Sequence, residues 1–199
     1  MAIPSRAQTF GALYEQAFLF ASSAHRGQTR KDGKEPYLAH LARVSGMALA
    51  YGASEECAAV ALLHDVVEDC GGLETAQRVR ELFGDAIADG VLALSDSLAS
   101  DRRHKAPWQE RKEAYVARME RESDEILLVS SCDKIDNMRS LIIALRVRND
   151  TMILQRFHAG RERQFWYYGA IGEILCKRQI PTYSEYTSLM KELFELWKE

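Results

Sequence analysis

The chain has 199 residues, of which 47% are hydrophobic and 28% charged, a composition typical of a globular protein and not of a disordered or fibrous one. Its formal net charge of −3 argues against nucleic acid or an anionic membrane as the main partner, but allows a small phosphate-bearing ligand at a local basic cluster. No run approaches eighteen apolar residues and the N-terminus lacks an apolar signal segment, so neither membrane spanning nor secretion is predicted and the cytoplasm is expected.

The spacing of apolar residues predicts a helix over 8–25 and a polar loop over 26–35. Further helices are predicted over 38–51, 54–69, 74–83, 85–97, 108–121, 124–147, 150–158 and 161–178, with a last helix from Thr182. Ser54 is expected to cap its helix, and residues 182–185 have the form of a capping box. No stretch alternates with period two for long enough to predict a strand. The sequence therefore predicts an all-α protein, a single compact bundle of about nine helices.

The four cysteines are widely separated, without a C-x-x-C pair. This spacing favours free thiols in a reducing compartment over a disulfide framework or a zinc ribbon. These cysteines are Cys57, Cys70, Cys132 and Cys176.

The predicted helix over 54–69 carries ionisable groups in an apolar setting. Its residues 58–63 are all apolar, so the helix is expected to be buried, and buried ionisable groups need partners or a metal. Two pairs lie four residues apart, which is expected to bring four groups to one helix face. The pairs are His64 with Glu68 and Asp65 with Asp69. The alternative is a helix end whose last acids emerge into water.

Two further segments add donors. Asp133 and Asn137 lie four residues apart between apolar flanks, which makes them candidate donors at the same site. The alternative is that Asp133 forms an ion pair inside the bundle. The segment over 24–40 combines basic residues with a histidine at the start of the next helix. Together the three segments supply two imidazoles and two carboxylates, a set suited to manganese, iron or zinc. The four side chains are His40, His64, Asp65 and Asp133.

Motif blocks in this order resemble a known family. They read A-H-x-G-Q-x-R-K-x-G-x-x-P-Y-x-x-H over 24–40, L-L-H-D-x-V-E-D over 62–69, F-G at 83–84 and D-K-x-x-N-x-R over 133–139. This pattern resembles the HD-superfamily phosphohydrolases, and more narrowly the hydrolase domain of the RelA/SpoT alarmone enzymes and the stand-alone small alarmone hydrolases. The resemblance covers about 20–145, the helices over 150–199 are expected to pack on that core, and no synthetase or regulatory domain is expected to follow.

The resemblance implies roles for particular residues. The metal ligands would be His40, His64, Asp65 and Asp133, with one metal, usually Mn²⁺, and Fe or Zn as other options. The catalytic acid pair would be Glu68 and Asp69. The substrate contacts would be Arg30, Lys31, Asn137 and Arg139, helped by the basic residues Arg102, Arg103 and Lys105.

The chain departs from the family's usual pattern at three places. Residues 130–132 read Ser-Ser-Cys where the family usually has a lysine, Asp136 stands where an aromatic residue or histidine is usual, and His40 is followed by Leu41 instead of proline. None of these changes removes a ligand. Asp136, however, is expected to add negative charge near the pocket.

The resemblance implies Mn²⁺-dependent hydrolysis of the 3′-pyrophosphate of (p)ppGpp or a related purine alarmone such as (p)ppApp, with release of pyrophosphate. One alternative is an HD phosphatase acting on another nucleotide, such as a nucleoside monophosphate or NADPH. Another is a non-catalytic nucleotide-sensing module. The expected partner is a small nucleotide, while the preferred base and the oligomeric state are left open. His25 is interpreted as structural, and the aromatic run over 165–168 as packing.

Overall fold

The computed structural model describes residues 10–30, 35–98, 105–156 and 159–197. In chain order the α-helices are α1 (Ala12–Ala24), α2 (Tyr37–Ala50), α3 (Glu55–Leu63), α4 (Val66–Asp69), α5 (Leu73–Phe83), α6 (Asp85–Leu94), α7 (Trp108–Met119), α8 (Asp124–Arg146), α9 (Gly160–Lys177) and α10 (Tyr183–Leu196). A 3₁₀ segment over Thr151–Arg156 replaces the α-helix predicted over 150–158. The described backbone contains one isolated bridge, Thr29 to Pro36, and no sheet. The all-α prediction is confirmed.

The core forms around α3 and α8. Every residue from Cys57 to Leu63 is buried, because α3 packs against α1, α2, α6 and α8. The long helix α8 also packs against α2, α9 and α10, and its Leu127, Ile135 and Met138 are inaccessible to solvent. This arrangement places α2, α3 and α8 side by side, so polar residues on their facing sides are removed from water together.

The helix predicted over 54–69 is interrupted, which corrects the expectation of one continuous face. Its helix α3 ends at Leu63, and α4 begins at Val66. The His64 Nδ1 donates to the carbonyl oxygen of Ala61 at 2.8 Å, and that carbonyl would otherwise accept from the Asp65 amide. A side chain inserted into the hydrogen-bond ladder breaks a helix locally, so His64 and Asp65 lie in a turn.

Of the two predicted caps, one is confirmed and one is wrong. Ser54 Oγ accepts from the Cys57 amide at 3.1 Å, as expected. The capping box at α10 does not form, because tertiary partners take both of its side chains. The hydroxyl of Thr182 bonds to Ser131 at 2.6 Å, and the Glu185 carboxylate accepts from Tyr51 at 2.7 Å.

The aromatic run is divided between interior and surface. Tyr167 and Tyr168 are buried, whereas Phe165 and Trp166 are 47% and 38% exposed. The four cysteines are free thiols, in agreement with their spacing. In the part of the chain that the structure describes, no helix combines the length and apolar character needed to cross a membrane.

Candidate active site

Four donor side chains meet where α2, α8 and the α3–α4 turn come together. His40 Nε2 lies 3.3 Å from Asp133 Oδ1 and 3.7 Å from Asp65 Oδ2. His64 Nε2 lies 3.1 Å from Asp65 Oδ2 and 3.7 Å from Asp133 Oδ1. The fold therefore brings together all four residues predicted as metal ligands.

The spacing and burial of these donors fit a divalent cation. Both Nε2 atoms are buried without a hydrogen-bond partner among the residues described, which a protein interior seldom tolerates unless another ligand is served. Donor atoms of His40, His64 and Asp65 all lie within 4.8 Å of one another. Ligands about 2.1 Å from a metal are about 3.0 to 3.5 Å apart when they are neighbours in a tetrahedral or octahedral shell, which is close to the separations found here.

Each imidazole is oriented through its other nitrogen. The His64 Nδ1 is bound to the Ala61 carbonyl, and the His40 Nδ1 lies 2.7 Å from Asp136 Oδ2. Asp136 was expected to add negative charge near the pocket. Its carboxylate does lie beside His40, but it is 2% exposed, faces the end of the imidazole opposite the donor cluster and is paired with Arg43.

Asp133 belongs to the donor cluster and to an ion pair at the same time. Its Oδ1 accepts from Asn137 at 2.7 Å, and its Oδ2 accepts from the buried Lys134 ammonium at 2.9 Å. Burial alone would raise the pKa of Asp133, but the Lys134 ammonium and the imidazoles hold it well below its usual range. Oδ2 therefore forms the ion pair that was the alternative interpretation, while Oδ1 faces the imidazoles, and its role as a metal ligand stays a prediction.

The carboxylates change the protonation of the imidazoles. Burial opposes the charged form of His40, yet the carboxylates of Asp133, Asp136 and Asp65 raise its pKa to about 9. The pKa of His64 is likewise raised well above its ordinary value, against burial, by Asp65 and Asp133. With its pKa near 9, metal-free His40 carries a proton near neutral pH that a metal must displace to bind, and the raised pKa of His64 acts in the same direction.

Glu68 faces α6 and the segment before α7. Helix α6 ends at Leu94, earlier than predicted, because Ser95 takes an extended backbone. The Asp96 amide therefore donates to Glu68 Oε2 at 3.3 Å, while Lys105 Nζ lies 3.0 Å from Glu68 Oε1. Burial and the Asp96 carboxylate raise the pKa of Glu68 to about 7. Such a carboxyl group can give or take a proton near neutral pH.

Asp69 faces the loop that precedes α2. Its Oδ2 accepts from Gln28 Nε2 at 3.1 Å, and Gln28 Oε1 lies 2.7 Å from His25 Nδ1. His25 is buried and stacks on the Tyr37 ring at 4.8 Å. These contacts agree with the structural interpretation of His25, because they anchor Gln28, which donates to Asp69.

The predicted substrate contacts are distributed unevenly. Arg30 donates to Asn137 Oδ1 at 2.5 Å, which connects it to Asp133 through the asparagine amide. Arg139 lies about 200° around α8 from Asn137 and pairs with Glu185 of α10. Its role in substrate binding stays a prediction. Lys31, Arg102 and Arg103 lie outside the described residues.

Sequence reasoning missed several residues that position the site. Tyr37 donates to Asp65 Oδ2 at 2.6 Å, and Lys134 is buried against both Asp133 and the Tyr115 hydroxyl. A usable signal for Lys134 was its position directly after Asp133, for which an ion pair inside the bundle was the alternative interpretation. Nothing in the sequence indicated that Asp136 would contact His40, because the two residues are 96 positions apart.

The HD domain family model matches residues 17–153. A GTP pyrophosphokinase rsh from Brucella melitensis is 32% identical over 155 residues, which cover 75% of this chain and 20% of the relative. The bifunctional (p)ppGpp synthase/hydrolase SpoT from Escherichia coli K12 is 33% identical over 132 residues, 63% of this chain and 18% of that protein. The chain thus spans about a fifth of the length of these curated relatives.

Two solved structures share the fold. A metazoan orthologue of SpoT, described as hydrolysing ppGpp, superposes with a TM-score of 0.69 at 25% identity, covering 95% of this chain and 97% of the other. The protein lmo0812 from Listeria monocytogenes gives a TM-score of 0.63 at 26% identity, covering 78% and 99%. The family model spans most of the chain and includes all four donors, and the chain therefore belongs to the HD domain family of phosphohydrolases.

Proposed function

We propose that this protein hydrolyses the 3′-pyrophosphate of (p)ppGpp or a related purine alarmone such as (p)ppApp, with Mn²⁺ bound by His40, His64, Asp65 and Asp133. The observation that carries the proposal is the pair of buried Nε2 atoms that face two carboxylates and have no hydrogen-bond partner in the described part of the chain. The similarity to a SpoT orthologue described as hydrolysing ppGpp supports the choice of substrate. When bound, a divalent metal supplies Lewis acidity for a phosphoryl oxygen and a water of lowered pKa.

The proposed reaction breaks the P–O bond between the 3′ oxygen of the ribose and the pyrophosphate. The water oxygen attacks that phosphorus, and the products are a nucleoside 5′-diphosphate or 5′-triphosphate with a free 3′-hydroxyl and inorganic pyrophosphate. Glu68 is the proposed general base or acid, because its pKa of about 7 allows either protonation state at neutral pH. Lys105, 3.0 Å from Glu68, orients that carboxyl group.

Arg30 is the proposed contact for substrate phosphate. Its guanidinium presents several donors in one plane and suits paired phosphate oxygens. In the structure Arg30 donates to Asn137, and Asn137 donates to Asp133, so the guanidinium lies next to the proposed metal site. The cytoplasmic location, Mn²⁺ as the metal and the single-domain organisation remain predictions.

A turnover assay with product identification tests the proposal. Protein is stripped of metal, reloaded with Mn²⁺ and offered ppGpp, its adenosine analogue, NADPH and a nucleoside monophosphate. Pyrophosphate release from either of the first two is the expected result and identifies the base. Orthophosphate release from NADPH or the monophosphate would establish a different phosphatase, and tight nucleotide binding without turnover would establish a sensor.

A further inference from the structure

Asp136 is a buried carboxylate for which the proposed reaction has no role. It is 2% exposed on α8, and its two oxygens contact two residues of α2. Oδ2 lies 2.7 Å from His40 Nδ1, and Oδ1 accepts from Arg43 Nε at 2.5 Å. Burying a carboxylate is costly unless it is fully paired, so the presence of a buried carboxylate at this position requires an explanation.

The two nitrogens of His40 serve different partners. Nδ1 faces Asp136, whereas Nε2 faces the carboxylates of Asp133 and Asp65. In the neutral imidazole, a proton on Nδ1 that is donated to Asp136 leaves the lone pair on Nε2. The contact therefore selects the form of His40 that can donate to a cation at the centre of the cluster.

Asp136 is itself held in place. Arg43 binds both of its oxygens, with Nη2 at 3.0 Å from Oδ2 in addition to the Nε contact. The same guanidinium binds both oxygens of Glu35, at 2.5 and 3.0 Å. Paired donors in one plane restrict the rotation of a carboxylate, so the chain of contacts from Glu35 through Arg43 gives Asp136 a defined orientation.

The Nδ1 partner of His64 differs from that of His40. The His64 Nδ1 donates to the neutral carbonyl of Ala61 in the preceding helix turn, whereas the partner of His40 is a carboxylate supplied by another helix. A carboxylate that accepts from a metal-binding histidine strengthens the opposite nitrogen as a donor and fixes the ring. Among the histidines at this site, His40 is the one oriented by a charged side chain.

We propose that Asp136 is a positioning residue that orients His40 and strengthens its Nε2 as a donor to the metal, with Arg43 and Glu35 holding Asp136 in place. This inference rests on the metal site of the proposed function. It assigns a purpose to the position where the chain departs from the family's usual aromatic residue or histidine.

The test measures Mn²⁺ binding to the metal-stripped protein by calorimetry, with the metal alone as ligand. Asp136→Asn is expected to weaken Mn²⁺ binding about 10- to 100-fold. In the turnover assay, the Mn²⁺ concentration for half-maximal rate is expected to rise by the same factor, while kcat at saturating Mn²⁺ stays within about threefold because mass action refills the site. Asp124→Asn is the matched control, since Asp124 is an exposed aspartate of the same helix paired with Arg178.

The outcomes separate the inference from the proposed function. If Asp136→Asn binds Mn²⁺ like the wild type and only its metal-free melting temperature falls, Asp136 is a structural ion pair and the inference is overturned. If the wild type binds no Mn²⁺, the metal site and the inference fail together. Should Asp136→Asn not fold, Arg43→Gln at the partly exposed position takes its place. Weaker Mn²⁺ binding by that variant supports the inference, and unchanged binding overturns it.

Discussion

The rings of His40 and His64 lie 5.3 Å apart, inclined at 69°, and both direct Nε2 at the carboxylates of Asp65 and Asp133. His40 lies on α2 and His64 in the α3–α4 turn, 24 positions further along the sequence. Both Nε2 atoms are buried without a hydrogen-bond partner among the described residues, which is the arrangement expected of two metal-binding imidazoles. This geometry allows the metal, the general base and the substrate contact to be tested separately.

Asp65→Ala is expected to abolish Mn²⁺ binding and turnover, because it removes one of the two carboxylates that face both imidazoles. Metal content measured after dialysis should fall from about one Mn²⁺ per chain to none. In the wild type, Mn²⁺ at a hundredfold its dissociation constant should stabilise the protein by about 2.7 kcal/mol, a thermal shift that the variant should lose. Asp89→Ala, an exposed aspartate paired with Arg80, is the control. Unchanged metal stoichiometry in Asp65→Ala would show that Asp65 is not a metal ligand.

Metal binding is expected to release protons. The carboxylates raise the pKa of His40 to about 9 against the effect of burial, and the pKa of His64 also lies well above its ordinary value. Protons must leave both imidazoles, so Mn²⁺ affinity should rise with pH between 6 and 8. Calorimetry in buffers of different ionisation enthalpy counts the released protons. A Mn²⁺ affinity that does not vary with pH would contradict the protonated state of the metal-free pair.

The stability of the metal-free protein should depend on pH with the opposite sign. A histidine whose folded pKa is raised stabilises the fold fully below its unfolded pKa of 6.5 and loses that contribution as the pH rises through about 9. Thermal melts of metal-stripped protein should therefore show a falling contribution from His40 between pH 6.5 and 9. Comparing the melting temperatures of the wild type and His40→Ala across this range isolates the contribution of His40. Parallel pH curves for the two proteins would contradict the raised pKa of His40.

Glu68→Gln is expected to keep the metal and lose at least about a hundredfold in turnover, since general acid or base catalysis contributes about 10²- to 10⁴-fold. Its matched control is Glu81→Gln, an exposed glutamate bonded to Gln77. Burial and Asp96 raise the pKa of Glu68 from 4.5 to about 7, so Glu68 lowers the stability of the metal-free fold progressively between pH 4.5 and 7, and the full cost is present at pH 8. The variant should therefore melt higher than the wild type at pH 8. A rate near that of the wild type would exclude the proposed proton-transfer role.

Arg30→Ala is expected to raise KM by roughly tenfold or more while lowering kcat less, because a lost phosphate contact weakens substrate binding in the ground state as well as in the transition state. Arg80→Ala, which removes a surface arginine paired with Asp85 and Asp89, is the control. Mn²⁺ affinity should be measured in the same variant, since Arg30 holds Asn137 and Asn137 holds Asp133. An unchanged KM would show that Arg30 does not contact the substrate.

The helices and the donor set were predictable from the sequence for local reasons. Helical periodicity placed α2, α8 and α9 within a residue or two of their bounds. Imidazoles and carboxylates inside apolar helices indicated a metal because burial demands a partner for them. The break at His64 was not predictable from periodicity, since it depends on whether the imidazole or the next amide takes the Ala61 carbonyl.

By itself, the sequence determined the helical class and which residue types are buried as donors, because both follow from composition and spacing along one helix. Only the tertiary structure decided which groups hold those donors. Asp136 binds His40 from 96 positions away, and Arg30 binds Asn137 across 107. Contacts at such separations depend on how α2 and the loop that precedes it pack against α8. The spacing of residues within one helix carries no information about the partner that a neighbouring element presents.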